Sequence, residues 1–141
     1  MNVNIANNCK NPIVGLGIDI IDVRRVEFIY KKYGLNFCKK ILGNNEYNEF
    51  MQRLNRNYLK SIKFIASRFS AKESFYKAIK IGMPTLSWHN IQIMNTSIGA
   101  PIMKLNSQLN DWFNQRYGNI HISISDESQF VITCVVIEKK Y

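Results

Sequence analysis

Arg68-Phe69-Ser70-Ala71-Lys72-Glu73-Ser74-Phe75-Tyr76-Lys77 sets four charged side chains into a stretch that otherwise has the character of an apolar helix. Around it Ile62, Ile65, Phe69, Tyr76 and Ile79 recur at helical spacing, which predicts a helix over residues 61–80, with Gly82 and Pro84 as stop signals. A stripe meant only for a core would not carry Lys72 and Glu73 where the next apolar residue belongs. Lys77 and Lys80 follow Glu73 by one and two turns on roughly the same side of that helix. By spacing alone the ordinary reading is a solvated ion-pair face; the other is a site for a metal and phosphates.

Outward from this helix, Ile13-Val14-Gly15-Leu16-Gly17-Ile18-Asp19-Ile20-Ile21 reads as a buried strand interrupted by Asp19. Residues 22–33 then turn helical, with Val23, Val26 and Ile29 or Tyr30 on one side and Arg24, Arg25, Phe28, Lys31 and Lys32 mostly elsewhere. Shorter helices are predicted over 36–41 and from Asn44 or Asn45 to about Asn55, where asparagines can cap the start. Beyond the long helix, 91–94 and 102–105 form a hairpin around Ser97-Ile98-Gly99-Ala100-Pro101. A helix over 106–117 and two strands over 120–125 and 130–138 complete the chain. With no repeat or linker, residues 1–141 make a single α+β domain with a mostly antiparallel sheet and a long central helix, and residues 1–11 a loosely ordered tail.

A hydrophobic fraction of 46% and an aromatic fraction of 12% in 141 residues suit one folded domain with a real core and exclude a disordered chain. Nineteen Lys and Arg against ten Asp and Glu give a net charge of +9, which attracts anions without naming them. Cys9, Cys38 and Cys134 show no paired spacing for zinc or dithiol chemistry, which fits a reducing compartment. No apolar run approaches membrane-spanning length and the first residues lack a signal-peptide pattern, so a cytoplasmic location is expected, or a plastid-type organelle if a targeting segment has been removed.

An unpaired carboxylate such as Asp19 in an apolar strand is costly and calls for a cation, a metal or protonation, although a cap on the following helix would explain it equally well. Paired with Glu73 from a separate element, it makes the sparse carboxylate set that Mg²⁺ uses when substrate phosphates complete its shell. In Ile120-His121-Ile122-Ser123-Ile124-Ser125 the isoleucines share one face and His121, Ser123 and Ser125 the other. An exposed sheet face accounts for that alternation; hydrogen bonds to a ligand would use the same residues.

Gly15-Leu16-Gly17-Ile18-Asp19-Ile20, the Arg68–Ser74 run and His121-Ile122-Ser123-Ile124-Ser125, in this order and spacing, resemble the small holo-acyl-carrier-protein synthases of the 4′-phosphopantetheinyl transferase superfamily. The similarity runs from about Ile13 to Glu138. It implies transfer of the phosphopantetheine arm of coenzyme A to a serine of apo acyl carrier protein, in support of fatty acid biosynthesis, with release of adenosine 3′,5′-bisphosphate. By the same resemblance Asp19 and Glu73 hold Mg²⁺, or Mn²⁺, and Lys77 contacts the phosphates. Asp19, Glu73 and Lys77 thus form the catalytic set, while Arg68, Lys72, Gly82, His121 and Ser123 join Lys77 in binding coenzyme A. Either Glu73 or a water oriented by Asp19 takes the serine proton. The resemblance further implies that Arg24, Arg25, Phe28 and Lys32 face the acidic carrier protein, where the charges alone would equally suit a solvated helix face.

The chain departs from the family's usual pattern at Lys80-Ile81-Gly82, which keeps one glycine of Gly-Thr-Gly, and at Ile18, Ala100 and Asp126. With Ile21 where larger relatives carry a second acid, it is similar to the small type, a homotrimer with active sites between subunits. Such an assembly would let Asp19 and the first helix come from one subunit and the Glu73 helix from the next. No membrane or nucleic-acid partner is expected on this reading; the alternative drawn from charge is a basic nucleic-acid-binding module without catalysis.

Overall fold

The computed structural model describes residues 11–79, 83 and 87–141; Gly82 and nearly all of the expected tail lie outside them. The elements run β1 (Ile13–Asp22), α1 (Val23–Tyr33), α2 (Leu35–Ile41), α3 (Asn44–Leu54) and α4 (Tyr58–Ala78). A short 3-10 turn (Trp88–Asn90), β2 (Ile91–Asn95), β3 (Pro101–Leu105), α5 (Ser107–Asn114), β4 (Tyr117–Asp126) and β5 (Phe130–Lys139) follow. The architecture is α+β, with every strand pairing antiparallel in one sheet of order β1-β5-β4 and a separate β2-β3 hairpin.

Caps set the boundaries that periodicity blurs. Asp22 accepts from the Arg24 amide at 2.9 Å and starts α1. Asn57 accepts from the Lys60 amide at 3.0 Å, which begins α4 before its first core residue, Ile62. Thirteen of the 21 residues of α4 are buried, because the helix lies between the sheet and the layer of α1, α2, α3 and β2. Its two ends anchor two clusters: Val26, Phe50, Ile62 and Ile65 at the start, and Phe75, Ile93, Phe113 and Ile137 at the end.

Among the described residues, only one face of the sheet is covered. Gly15 and Gly17 of β1 and Val131, Thr133, Val135 and Ile137 of β5 face α4 and are buried. The alternate residues Leu16, Ile18 and Ile20 are 61%, 62% and 61% exposed, against the expectation of a fully buried strand. Their register partners on β5 are Val136, Cys134 and Ile132, which in turn pair with His121, Ser123 and Ser125 on β4. The outer face is therefore apolar over β1 and β5 and polar along β4.

Candidate active site

The two glycines of β1 fix where the site forms. A Cβ on Gly17 would collide with the Ser74 carbonyl, and one on Gly15 with the Ala78 carbonyl, so strand and helix meet backbone to backbone. Behind this contact Ser70 and Ser74 share hydrogen bonds of 2.8 and 2.6 Å with the Thr133 hydroxyl on β5. Asp19 follows Gly17 by two residues and shares its face, which brings it to the α4 turn that carries Glu73 and Lys77.

Lys77 Nζ donates to Asp19 Oδ1 at 2.9 Å and to the Ile18 carbonyl at 3.0 Å; the Lys77 side chain is half-exposed. Burial raises the Glu73 pKa, the negative charge of Asp19 raises it further, and Lys77 opposes both. Asp19 and Glu73 of the same chain thus come close enough for their like charges to interact, whereas the expected assembly would have let them come from neighbouring subunits. The donor set fits Mg²⁺ or Mn²⁺: two hard carboxylates with Lys77 beside them leave most of a shell to water and phosphate oxygens. Among the described residues no group of three or more His, Cys, Asp and Glu is gathered, as a dedicated protein-only metal cage would require.

On the other flank of α4, over the β4 edge of the sheet, lies a cleft of about 440 Å³. Arg53, Lys60, Lys63 and Arg68 make it basic, the hairpin supplies Asn95, Gly99 and Pro101, and Ile124 and Asp126 come from β4. Arg68 is 95% buried by its 5% exposure, stacks on Phe64 at 4.1 Å and donates to Ser67 Oγ at 3.1 Å and Asn95 Oδ1 at 3.3 Å. Its Nε has no acceptor among the described residues, and burial pulls the guanidinium down to about 10. A buried cation with a donor to spare is what an anionic ligand would complete.

Lys72, expected in the ligand set, is fully buried on neither solvated face nor cleft. Its Nζ donates to Glu46 Oε1 at 2.6 Å, the Ile41 carbonyl at 2.7 Å and the Trp88 carbonyl at 3.1 Å, which exhausts its three protons. β4 reaches the cleft through Ile124 and Asp126, whereas His121 and Ser123 project from the opposite, outer face. His121 Nε2 pairs there with Glu138 Oε1 at 2.6 Å, and hydrogen bonds from His121 and Asn119 hold the Glu138 carboxyl below its usual range. Within one chain they do not join Asp19 and Glu73. Glu46, Arg53, Lys60 and Lys63 are the residues sequence reasoning passed over; only the run of Lys and Arg spacing into the first half of α4 hinted at the cleft.

Along α1, Arg25 and Phe28 are exposed, Phe28 by 69%, beside Asp22, Arg24 and Ile29 in a shallow depression. Arg24 is less free than its neighbour: Nε and an amino nitrogen both bind the Asp22 carboxylate, the latter at 2.8 Å, and this pair holds Asp22 down to about 2. Lys32 leans over the Tyr33 ring at 5.2 Å.

Residues 15–135 match the model of the 4′-phosphopantetheinyl transferase superfamily. The chain is 39% identical over 129 residues to the holo-[acyl-carrier-protein] synthase of Bordetella pertussis, covering 91% of this chain and 84% of that protein. Its structure is similar to that of the holo-[acyl-carrier-protein] synthase of Neisseria meningitidis, with a TM-score of 0.81, 35% identity and coverage of 90% and 99%. The Bacillus anthracis synthase, solved in complex with CoA (3′,5′-ADP), gives 0.72 and 33%, covering 92% of this chain and 99% of that one.

Proposed function

Because the chain belongs to the 4′-phosphopantetheinyl transferase superfamily, we propose that it moves the phosphopantetheine arm of coenzyme A to a serine hydroxyl of apo acyl carrier protein. The observation that carries this reading is the meeting of Asp19, Glu73 and Lys77 at the backbone contact between β1 and α4. In the transfer, the serine oxygen bonds to the phosphorus on the pantetheine side, the bond from that phosphorus to the bridging oxygen breaks, and adenosine 3′,5′-bisphosphate leaves. Asp19 and Glu73 are the residues that would hold Mg²⁺, which when bound neutralises pyrophosphate oxygens.

Lys77 supplies the second positive charge. Its long stem and half-exposed ammonium let it pass from Asp19 to a phosphate oxygen of the leaving group. Glu73, or a water held by Asp19, accepts the serine proton. The basic cleft with Arg68 receives the bisphosphate end of coenzyme A, and Arg25 and Phe28 on α1 face the carrier protein.

In a single chain the carboxylates lie at the β1 edge of the sheet and the cleft at the β4 edge. A trimer resolves that separation: the exposed Leu16, Ile18 and Ile20 call for cover by further copies, and the carboxylate flank of one copy then meets the cleft flank of the next. His121 and Ser123, on the same outer face, enter such a boundary. Loading the carrier in this way would support fatty acid biosynthesis.

The test is direct. Protein, apo acyl carrier protein, coenzyme A and Mg²⁺ are incubated and the carrier is weighed by mass spectrometry, with a chelator as control. A carrier heavier by one phosphopantetheine, only in the presence of the divalent ion, is expected. No mass change, together with salt-sensitive retention of generic RNA, would favour the basic nucleic-acid module instead.

A further inference from the structure

Lys72 and Glu46 form a buried ion pair in which all three ammonium protons and both carboxylate oxygens have partners, with Lys72 one turn along α4 from Arg68. Glu46 Oε1 accepts from Lys72 and from the Gly43 amide at 3.0 Å, and its other oxygen accepts from the Ile93 amide at 3.0 Å. The last bond is made on β2, two residues before Asn95, which is itself bonded to Arg68. Gln92 adds a clasp from the same strand, accepting from the Asn45 amide at 2.9 Å. Two parallel ties therefore run between α4 and the β2–β3 hairpin: Arg68 to Asn95 directly, and Lys72 to Ile93 through Glu46.

These two elements are the opposing walls of the basic cleft. One wall is α4 with Lys63, Phe64 and Arg68; the other is the hairpin with Asn95, Gly99 and Pro101. The Arg68–Asn95 bond is long, 3.3 Å, and opens to the cleft, so a ligand that recruits Arg68 would weaken it. The Lys72–Glu46 tie is dry and would not. We infer that Lys72 and Glu46 are positioning residues that set the width of the basic cleft, so that binding of the phosphate-bearing nucleotide depends on them while docking at α1 does not.

This inference rests on the transferase reading, and its experiment separates the two. Wild-type protein and the double variant Lys72→Met/Glu46→Gln, which removes the charges together and so leaves neither ion stranded, are compared in the mass-spectrometric assay. Failure of the wild type to load any carrier would remove the reading itself. Given wild-type turnover, the double variant is expected to raise the KM for coenzyme A by about ten- to a hundredfold, the cost of a misaligned wall, with the KM for carrier protein unchanged. Direct titration with adenosine 3′,5′-bisphosphate should show the same loss of affinity. Equal rises in both constants, or no change in either, would overturn the inference. Should the variant not fold, native-state hydrogen exchange on the wild type decides: the Ile93 amide is expected to exchange only with global unfolding, and exchange through local opening would overturn the role.

Discussion

Gly15 and Gly17 occupy positions where any side chain would push β1 away from α4, and Asp19 lies two residues beyond that contact. Gly17→Ala is expected to cost about 1–3 kcal/mol through overpacking, seen as a lower midpoint of thermal unfolding, and to reduce transfer beyond what the stability loss explains. Asp19→Ala and Glu73→Ala are expected to abolish loading of carrier protein while circular dichroism stays native, since each removes a charge at the surface of the contact and no packing atom from the core. Near-normal turnover in either variant would overturn their assignment. Asp19, Glu73 and Lys77, which the fold brings together, could be singled out in the sequence because the motif around each is local. The sequence did not disclose Glu46 as the partner of Lys72: a lysine beside a glutamate in a basic helix looks solvated, and the carboxylate that buries it comes from another helix, α3.

At the scale of elements, caps and tertiary cover account for the differences between expectation and fold. The first turn of α4 was hidden because Asn57, not an apolar residue, begins it. The start of β4 at Tyr117 was hidden because Gly118 and Asn119 break the alternation, where the pairing with β5 shifts register. Element α1 was legible as amphipathic, yet the pattern of charges could not tell a free Arg25 from an Arg24 bound to Asp22. For Arg25→Glu, the KM for carrier protein should rise about tenfold or more, as for a charge reversed at an electrostatically steered surface, while the KM for coenzyme A barely moves. Comparable changes in both constants would argue against docking along this helix.

For the whole molecule, the decisive feature is a sheet that the described residues cover on one face only. An apolar strand reads as buried from sequence whether its cover comes from the same chain or from a copy, so the outer face of β1 could not be foreseen as exposed. Burial of the exposed 61–62% of Leu16, Ile18 and Ile20 against other copies would yield about 1–2 kcal/mol per side chain. Ile18→Asp is expected to give a monomer by light scattering that retains its helical content but loses transfer, whereas a fully active monomer would contradict an active site shared between copies. Cys134 sits between Ile18 and Ser123 on that same face, while Cys38 has no exposure. Association through this face would therefore be readable at one thiol: iodoacetamide should alkylate Cys134 faster in dilute protein than in concentrated protein, as followed by peptide mapping, and a rate independent of concentration would speak against cover of this face by copies.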